Sequence, residues 1–170
     1  MVIDILKTYL KKKNSTFEIE NVNQLDKLNT LFDKVHELGG NIENGTFERV
    51  ETASKKAIEI FNKIFKNSSQ KIFVLIYEFA GPNPFGADNK FLHLQFSNTT
   101  KTERIEMLDY DIVIYETEIS YIKYESILKA IANTEMGFEP AINQRIYFFD
   151  IENEKAFYMF DDRGCMTNGL

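Results

Sequence analysis

Apolar residues recur at helical spacing in four parts of the chain. The first predicted helix covers residues 2–12, and a second covers 21–39 with one stripe of aliphatic and aromatic side chains. The clearest stripe begins at Phe47 and predicts a helix of about five turns that ends near Asn67. A fourth helix is predicted over 121–133, with Ser120 as its candidate N-cap.

The hydrophobic period changes from helical to alternating after the third helix. Residues 71–79 are apolar on both faces, which is typical of a central strand covered on both sides. Residues 80–89 contain two prolines and two glycines and predict a loop. Further strands are predicted at 91–96, 104–108, 111–117, 145–150 and 155–160, and the last two form a hairpin.

The order of these elements defines the expected fold class. Helices come first, a meander of strands follows, and one later helix precedes the final hairpin. Short turns between strands favour antiparallel pairing. The pattern therefore predicts a single α+β domain over residues 1–170, with a mainly antiparallel sheet of five to six strands and the helices packed on it.

Composition and charge narrow the possible functions. The chain has 170 residues, a net charge of −6 and 44% hydrophobic residues, which is enough for a packed core. The acidic balance argues against binding to nucleic acid, because that affinity rests on Lys and Arg. No apolar run approaches the roughly 20 residues of a membrane span. The first residues lack the features of a signal peptide, so we expect a cytoplasmic protein.

Motifs of catalysis and metal binding are absent from the sequence. There is no Gly-x-Ser-x-Gly, His-Glu-x-x-His or phosphate-binding loop, and a lone cysteine, Cys165, cannot provide a cysteine pair for zinc. His36 and His93 have no evident catalytic partner in sequence, and a structural role is favoured for both. We therefore expect no catalytic residues, no metal and no cofactor, and the sequence favours a protein that is not an enzyme.

One acidic and aromatic stretch, residues 103–124, is a candidate partner-binding surface. Tyrosine is enriched at protein interfaces, and acids steer a basic partner. The equally weighted alternative is a solvated strand edge whose charges prevent aggregation. The residues selected for partner binding are Asp109, Tyr110, Asp111, Tyr115, Glu116 and Glu118.

A second cluster, Asp161, Asp162 and Arg163, lies at the end of the last predicted strand. Two carboxylates beside a guanidinium could bind a polar ligand. The favoured alternative is a turn in which one Asp caps backbone N–H groups, Arg163 pairs with an acid and Gly164 takes a positive φ. The 80–89 loop is a third candidate binding element, although an ordinary connection is favoured there.

Several short motifs together resemble a known family. They are Glu37-Leu38-Gly39, Arg49, Ala57-Ile58-Glu59-Ile60-Phe61, Glu139-Pro140, Arg145-Ile146-Tyr147-Phe148-Phe149-Asp150 and the segment from Ala156 to Cys165. This pattern resembles an uncharacterised bacterial family whose hallmark is a strand ending in aromatic-Asp-Asp-Arg-Gly. The resemblance covers about residues 31–165. Its members are similar to proteins encoded beside polymorphic toxins, which implies an immunity role by association.

Three hypotheses follow from these observations. The first is an immunity protein that neutralises a cognate, basic toxin domain by direct binding. The second is a small-ligand binder or enzyme that uses Asp161, Asp162 and Arg163. The third is a scaffold protein with an unrelated partner, which the sequence does not distinguish from the first.

Overall fold

The computed structural model describes residues 1–79, 89–97 and 100–170. Within these ranges the α-helices are α1 (Val2–Lys13), α2 (Leu25–Leu28), α3 (Phe47–Ile64), α4 (Asn89–His93) and α5 (Tyr124–Asn133). The strands are β1 (Lys34–Glu37), β2 (Lys71–Phe79), β3 (Lys101–Glu106), β4 (Tyr110–Glu118), β5 (Arg145–Asp150), β6 (Lys155–Asp161) and β7 (Gly164–Asn168). Short 3₁₀ turns precede and follow α2, and another precedes α5.

All seven strands form one antiparallel sheet in the order β1-β7-β6-β5-β2-β4-β3. This confirms the predicted α+β class and the antiparallel sheet, with a strand count slightly above the prediction. Strand β2 occupies the interior of the sheet, between β4 and β5, and both of its faces are covered, as Leu75 and Ile76 are each fully buried. The continuous apolar pattern of residues 71–79 follows from this central position.

The sheet separates two hydrophobic cores. Helices α3 and α5 cover one face, and α1 with the segment from Phe17 to Leu28 covers the other. Phe61 of α3 is the centre of an aromatic cluster on the first face, with its ring 4.5 Å from Tyr124 and 5.2 Å from both Phe148 and Phe157. Because both faces are covered, the parts of the sheet itself that solvent reaches are its edges and strand ends.

Helix α3 confirms the clearest sequence prediction. Its N-cap is Thr46, whose side chain accepts a hydrogen bond from the backbone N–H of Arg49 at 3.2 Å. The buried positions of the helix follow the predicted stripe, and the helix ends at Ile64, three residues before the predicted end. The predicted hairpin is also confirmed, since β5 and β6 pair in register around a turn at residues 151–154.

The predicted helix over 21–39 is wrong in its second half. Asn21 caps its first turn as expected, but helical structure stops at Leu31 and residues 34–37 form β1. Strand β1 pairs with β7, and the backbone N–H of Leu38 continues this pairing by donating to Arg163. The helical pattern of these residues reflects only local preference. Pairing with the edge of β7 overrides that preference.

Two further predictions near β4 are wrong. Residues 91–96 are not a strand: α4 ends at His93, and Leu92 and Phe96 are buried at helical spacing while Leu94 is 74% exposed. A segment of six residues is too short for hydrophobic periodicity to distinguish a strand from a short helix, which explains the error. The N-cap of α5 is Lys123 rather than Ser120. The predicted loop at 80–89 lies, except for Asn89, outside the described residues.

Candidate functional site

The six residues selected from the acidic stretch do not share one face. Asp109 lies in the turn before β4, and the other five alternate along that strand. Tyr110, Glu116 and Glu118 lie on the α1 side, whereas Asp111 and Tyr115 lie on the α3 side. The six residues are divided in this way because successive residues of a strand point to opposite faces of the sheet.

The turn between β3 and β4 brings three of the six residues together at one end of the sheet. It is closed by a hydrogen bond from the backbone N–H of Met107 to the carbonyl of Tyr110, at 3.0 Å. Leu108 at its tip is 94% exposed. We call the group of Phe79, Leu108, Asp109, Tyr110 and Asp111 the hairpin-end surface.

Contacts within the hairpin-end surface fix its aromatic residues. The hydroxyl of Tyr110 donates to the backbone carbonyl of Glu20, and its ring lies 6.5 Å from that of Phe79, which pairs with it across the strands. Phe79 is 43% exposed. Asp111 accepts a hydrogen bond from Arg104 at 2.7 Å, whereas Asp109 is exposed to solvent. The surface therefore combines ordered apolar groups with carboxylates.

Tyr115 lies inside the protein and not on this surface. It is 7% exposed, and its ring stacks on Phe96 at 4.0 Å with the two planes nearly parallel. Burial raises the pKa of Tyr115 to about 12. Its hydroxyl lies 2.5 Å from Nδ1 of His93. This tyrosine therefore holds α4 against β4.

A polar network beside β4 was missed by sequence reasoning. His93 contacts Tyr115 through Nδ1 and Glu78 through Nε2, while Arg104 donates to Glu78 and Asp111, each at 2.7 Å. Glu78 is buried, and burial by itself raises the pKa of its carboxyl. The hydrogen bonds from His93 and Arg104 outweigh burial and hold that pKa below its usual value. Both ring nitrogens of His93 have hydrogen-bond partners, so the network links the strands to α4.

Glu116 and Glu118 lie toward the opposite end of β4. Glu116 forms an ion pair with Lys71, and Glu118 accepts a hydrogen bond from the hydroxyl of Ser120 at 3.3 Å. Both line a groove of about 210 Å³ that also includes Tyr121. These two carboxylates are therefore separated from the hairpin-end surface by the length of the strand.

Asp161 and Arg163 pair with each other across the turn between β6 and β7. Asp161 accepts from the backbone N–H of Arg163 at 2.7 Å and from its Nη2 at 2.6 Å, and this pairing raises the pKa of the guanidinium. The predicted turn is confirmed in these contacts. Gly164, however, does not have a positive φ, because it is the first residue of β7 and extended.

Asp162 forms a buried ion pair with Arg49 of α3. The guanidinium Nε lies 2.5 Å from Oδ2 of Asp162, and Nη1 donates to the carbonyl of Ile42 at 2.7 Å. A Cβ atom at Gly39 would come within 2.5 Å of Cζ of Arg49, so a larger residue there would displace the guanidinium from its place beside Asp162. Gly39, Arg49 and Asp162, which belong to three separate motifs of the chain, therefore form one packed unit. Its geometry fits a structural role for the Asp-Asp-Arg-Gly segment.

Metal-binding clusters and membrane-spanning helices are both absent among the described residues. No group of three or more His, Cys, Asp or Glu side chains among them is arranged to hold a metal ion. Over the same residues, every helix is too short or too polar to cross a bilayer.

The fold and its surfaces define an acidic α+β protein with a seven-stranded antiparallel sheet buried on both faces. The family model described as a domain of unknown function, DUF3885, matches residues 17–167. The chain belongs to this family, which covers most of its length. Neither the curated proteins nor the solved structures gave a match.

Proposed function

We propose that this protein is an immunity protein, which binds a cognate toxin domain of basic character and neutralises it by direct contact. The hairpin-end surface is the observation that carries the proposal. The resemblance to proteins encoded beside polymorphic toxins supports the immunity role, and the absence of catalytic motifs in the sequence is consistent with it.

Leu108 is the proposed anchor of the interface. A leucine that is 94% exposed at the tip of a tight turn gains nothing from its own fold. Phe79 and Tyr110 are partly exposed and lie at the adjoining ends of β2 and β4. A partner that buries Leu108 would therefore also contact these two aromatic side chains. Residues at the centre of such apolar clusters supply most of the binding energy in protein interfaces.

The charges around Leu108 favour a partner of basic character. Asp109 is exposed beside Leu108. Asp111 and Glu78 both accept hydrogen bonds from Arg104, so this network has two carboxylates and one guanidinium. With a net charge of −6, the whole protein attracts a basic partner and accelerates the encounter. Lys or Arg side chains that surround an apolar pocket would complement this surface.

The six residues selected from the sequence have different parts in the proposed complex. Asp109, Tyr110 and Asp111 would contact the toxin. Glu116 and Glu118 would contribute long-range attraction from the other end of β4. Tyr115 would act by holding α4 in place.

The test begins with a pull-down from the native host, with the tagged protein as bait and mass spectrometry as the readout. We expect a basic toxin domain to be recovered with the wild type. The double variant Leu108→Asp with Asp109→Lys should lose the partner and fail to protect cells that express the toxin. Glu152→Lys is the matched control, because Glu152 is an exposed acid in the hairpin turn at the opposite end of the sheet.

Circular dichroism must show that the double variant folds like the wild type. Unchanged binding and protection by this folded variant would remove the hairpin-end surface as the interface. Recovery of a partner without toxic activity would overturn the immunity role and leave a binding role.

A further inference from the structure

Strand β1 forms one edge of the sheet, opposite the β3 edge beside the hairpin-end surface. It contains four residues, and in the described ranges 1–79, 89–97 and 100–170 its strand pairing is with β7. Edge strands expose backbone groups that can pair with an added strand. An incoming extended peptide can pair with such groups.

The pairing with β7 shows which backbone groups of β1 face outward. The N–H of Leu38 donates to the carbonyl of Arg163 at 2.9 Å, and His36 stands opposite Cys165 two residues along the ladder. Opposed residues of an antiparallel pair alternate between hydrogen-bonded and non-hydrogen-bonded. His36 thus uses its backbone groups within the sheet, whereas those of Val35 and Glu37 point to the outer edge.

The face of β1 that lies toward α3 is cationic. Lys34 and His36 share this face with Lys56 and Lys63 of α3, which are exposed. The pKa of His36 is lowered by burial and then by the positive charges of these three lysines. Glu59 lies between the two lysines of α3 on the helix surface and offsets part of their charge, and Lys34 donates to the backbone carbonyl of Leu170 at 2.9 Å. Three lysines against one side-chain carboxylate still leave a positive face.

The opposite face of β1 is apolar at its centre. Val35 is 72% exposed there, next to Met166 of β7, which is partly buried against the α1 core. Glu37 lies on this face as well, so a carboxylate of a ligand is disfavoured on it. The two faces of the edge therefore favour opposite side-chain types in a ligand strand.

We propose that the outer edge of β1 binds an extended peptide in which acidic and apolar residues alternate. Its backbone pairs with Val35 and Glu37 as an eighth strand of the sheet. Its acidic side chains meet Lys34, Lys56 and Lys63, and its apolar side chains cover Val35. This site is separate from the proposed toxin interface and does not depend on it.

A second copy of the chain is the less suitable occupant of this edge. Pairing of β1 with another β1 would place the Lys34, Lys56 and Lys63 side chains of the two copies on one face of the joined sheet. Like charges at such positions destabilise a strand pair. An acidic peptide reverses that sign and makes the same backbone hydrogen bonds.

Fluorescence anisotropy with a labelled peptide of alternating Glu and Val tests the proposal. The control peptide has the same composition with its Glu and Val residues in separate blocks, so it has the charge without the pattern. We expect the alternating peptide to bind at least about tenfold more tightly. Lys56→Glu combined with Lys63→Glu should weaken its binding by about tenfold or more. The matched variant, Lys11→Glu with Lys12→Glu on α1, should bind like the wild type.

Amide hydrogen exchange locates the peptide. The N–H groups of Val35 and Glu37 should gain protection when the alternating peptide is added. Equal affinity for the two peptides, no binding of either, or binding that leaves both amides unprotected would overturn the proposal. Dimerisation of the protein without peptide, with protection of the same amides, would instead assign the edge to a second copy.

Discussion

Replacement of Asp162 by Ala should destabilise the protein far more than its position beside a turn indicates. Only 2% of the Asp162 side chain is exposed, and its partner Arg49 is 9% exposed. Removal of the carboxylate leaves a buried guanidinium with the carbonyl of Ile42 as its acceptor. Breaking a buried ion pair by removing one partner costs about 3–5 kcal/mol, and we expect a loss of that size in the free energy of unfolding.

Urea unfolding followed by far-UV circular dichroism measures this effect, since the chain has no tryptophan. Arg163→Ala is the matched control in the same motif, because Arg163 is 70% exposed and should leave the urea midpoint close to that of the wild type. In the double variant Arg49→Met with Asp162→Leu both charges are removed. It should be more stable than the sum of the single variants implies. An Asp162→Ala midpoint that matches Arg163→Ala would refute the reasoning.

Three further predictions concern single side chains. Cys165 is fully buried and burial raises its thiol pKa to about 12, so a thiol reagent should label the protein only in urea, and rapid labelling of the native protein would contradict this. The folded-state pKa of Glu78 is below its ordinary value, so its stabilisation is present at neutral pH and is lost as the pH falls through that lowered pKa. Acid titration should therefore show a steeper stability loss for the wild type than for Glu78→Gln, and parallel curves would argue against it. Tyr77→Phe removes a buried hydroxyl that donates to the carbonyl of Ile19 at 2.8 Å, which should cost about 1–3 kcal/mol in urea unfolding, whereas an unchanged midpoint would show that the bond contributes nothing.

The sequence was sufficient to predict an element where the burial of that element sets its pattern of apolar residues. Residues 71–79 are apolar on both faces because β2 has a core on each side, and α3 has one apolar stripe because it covers one face of the sheet. The pattern failed for residues 34–37, where Val35 is 72% exposed and the strand is defined by pairing with β7. An edge strand of this kind buries little, so hydrophobic periodicity carries little information about it.

The candidate surfaces show the same limit. Asp109, Tyr110 and Asp111 lie together because they are consecutive, and a turn keeps consecutive residues together. The Glu78 network was missed because Glu78 contacts His93 and Arg104, which are 15 and 26 positions away on α4 and β3. No local pattern in the sequence marks such a convergence.

The buried pair of Arg49 and Asp162 joins segments of the chain that are far apart in sequence. These two residues are 113 positions apart, and Gly39 packs against the same guanidinium. Each residue requires the other two: the glycine provides space, the arginine supplies the charge, and the aspartate neutralises it without solvent. A change at one position would displace the guanidinium or leave an unpaired buried charge. This unit holds β1 and the β6–β7 turn to α3 and so supports the proposed peptide edge of β1, whereas the proposed toxin interface lies toward the opposite edge of the sheet.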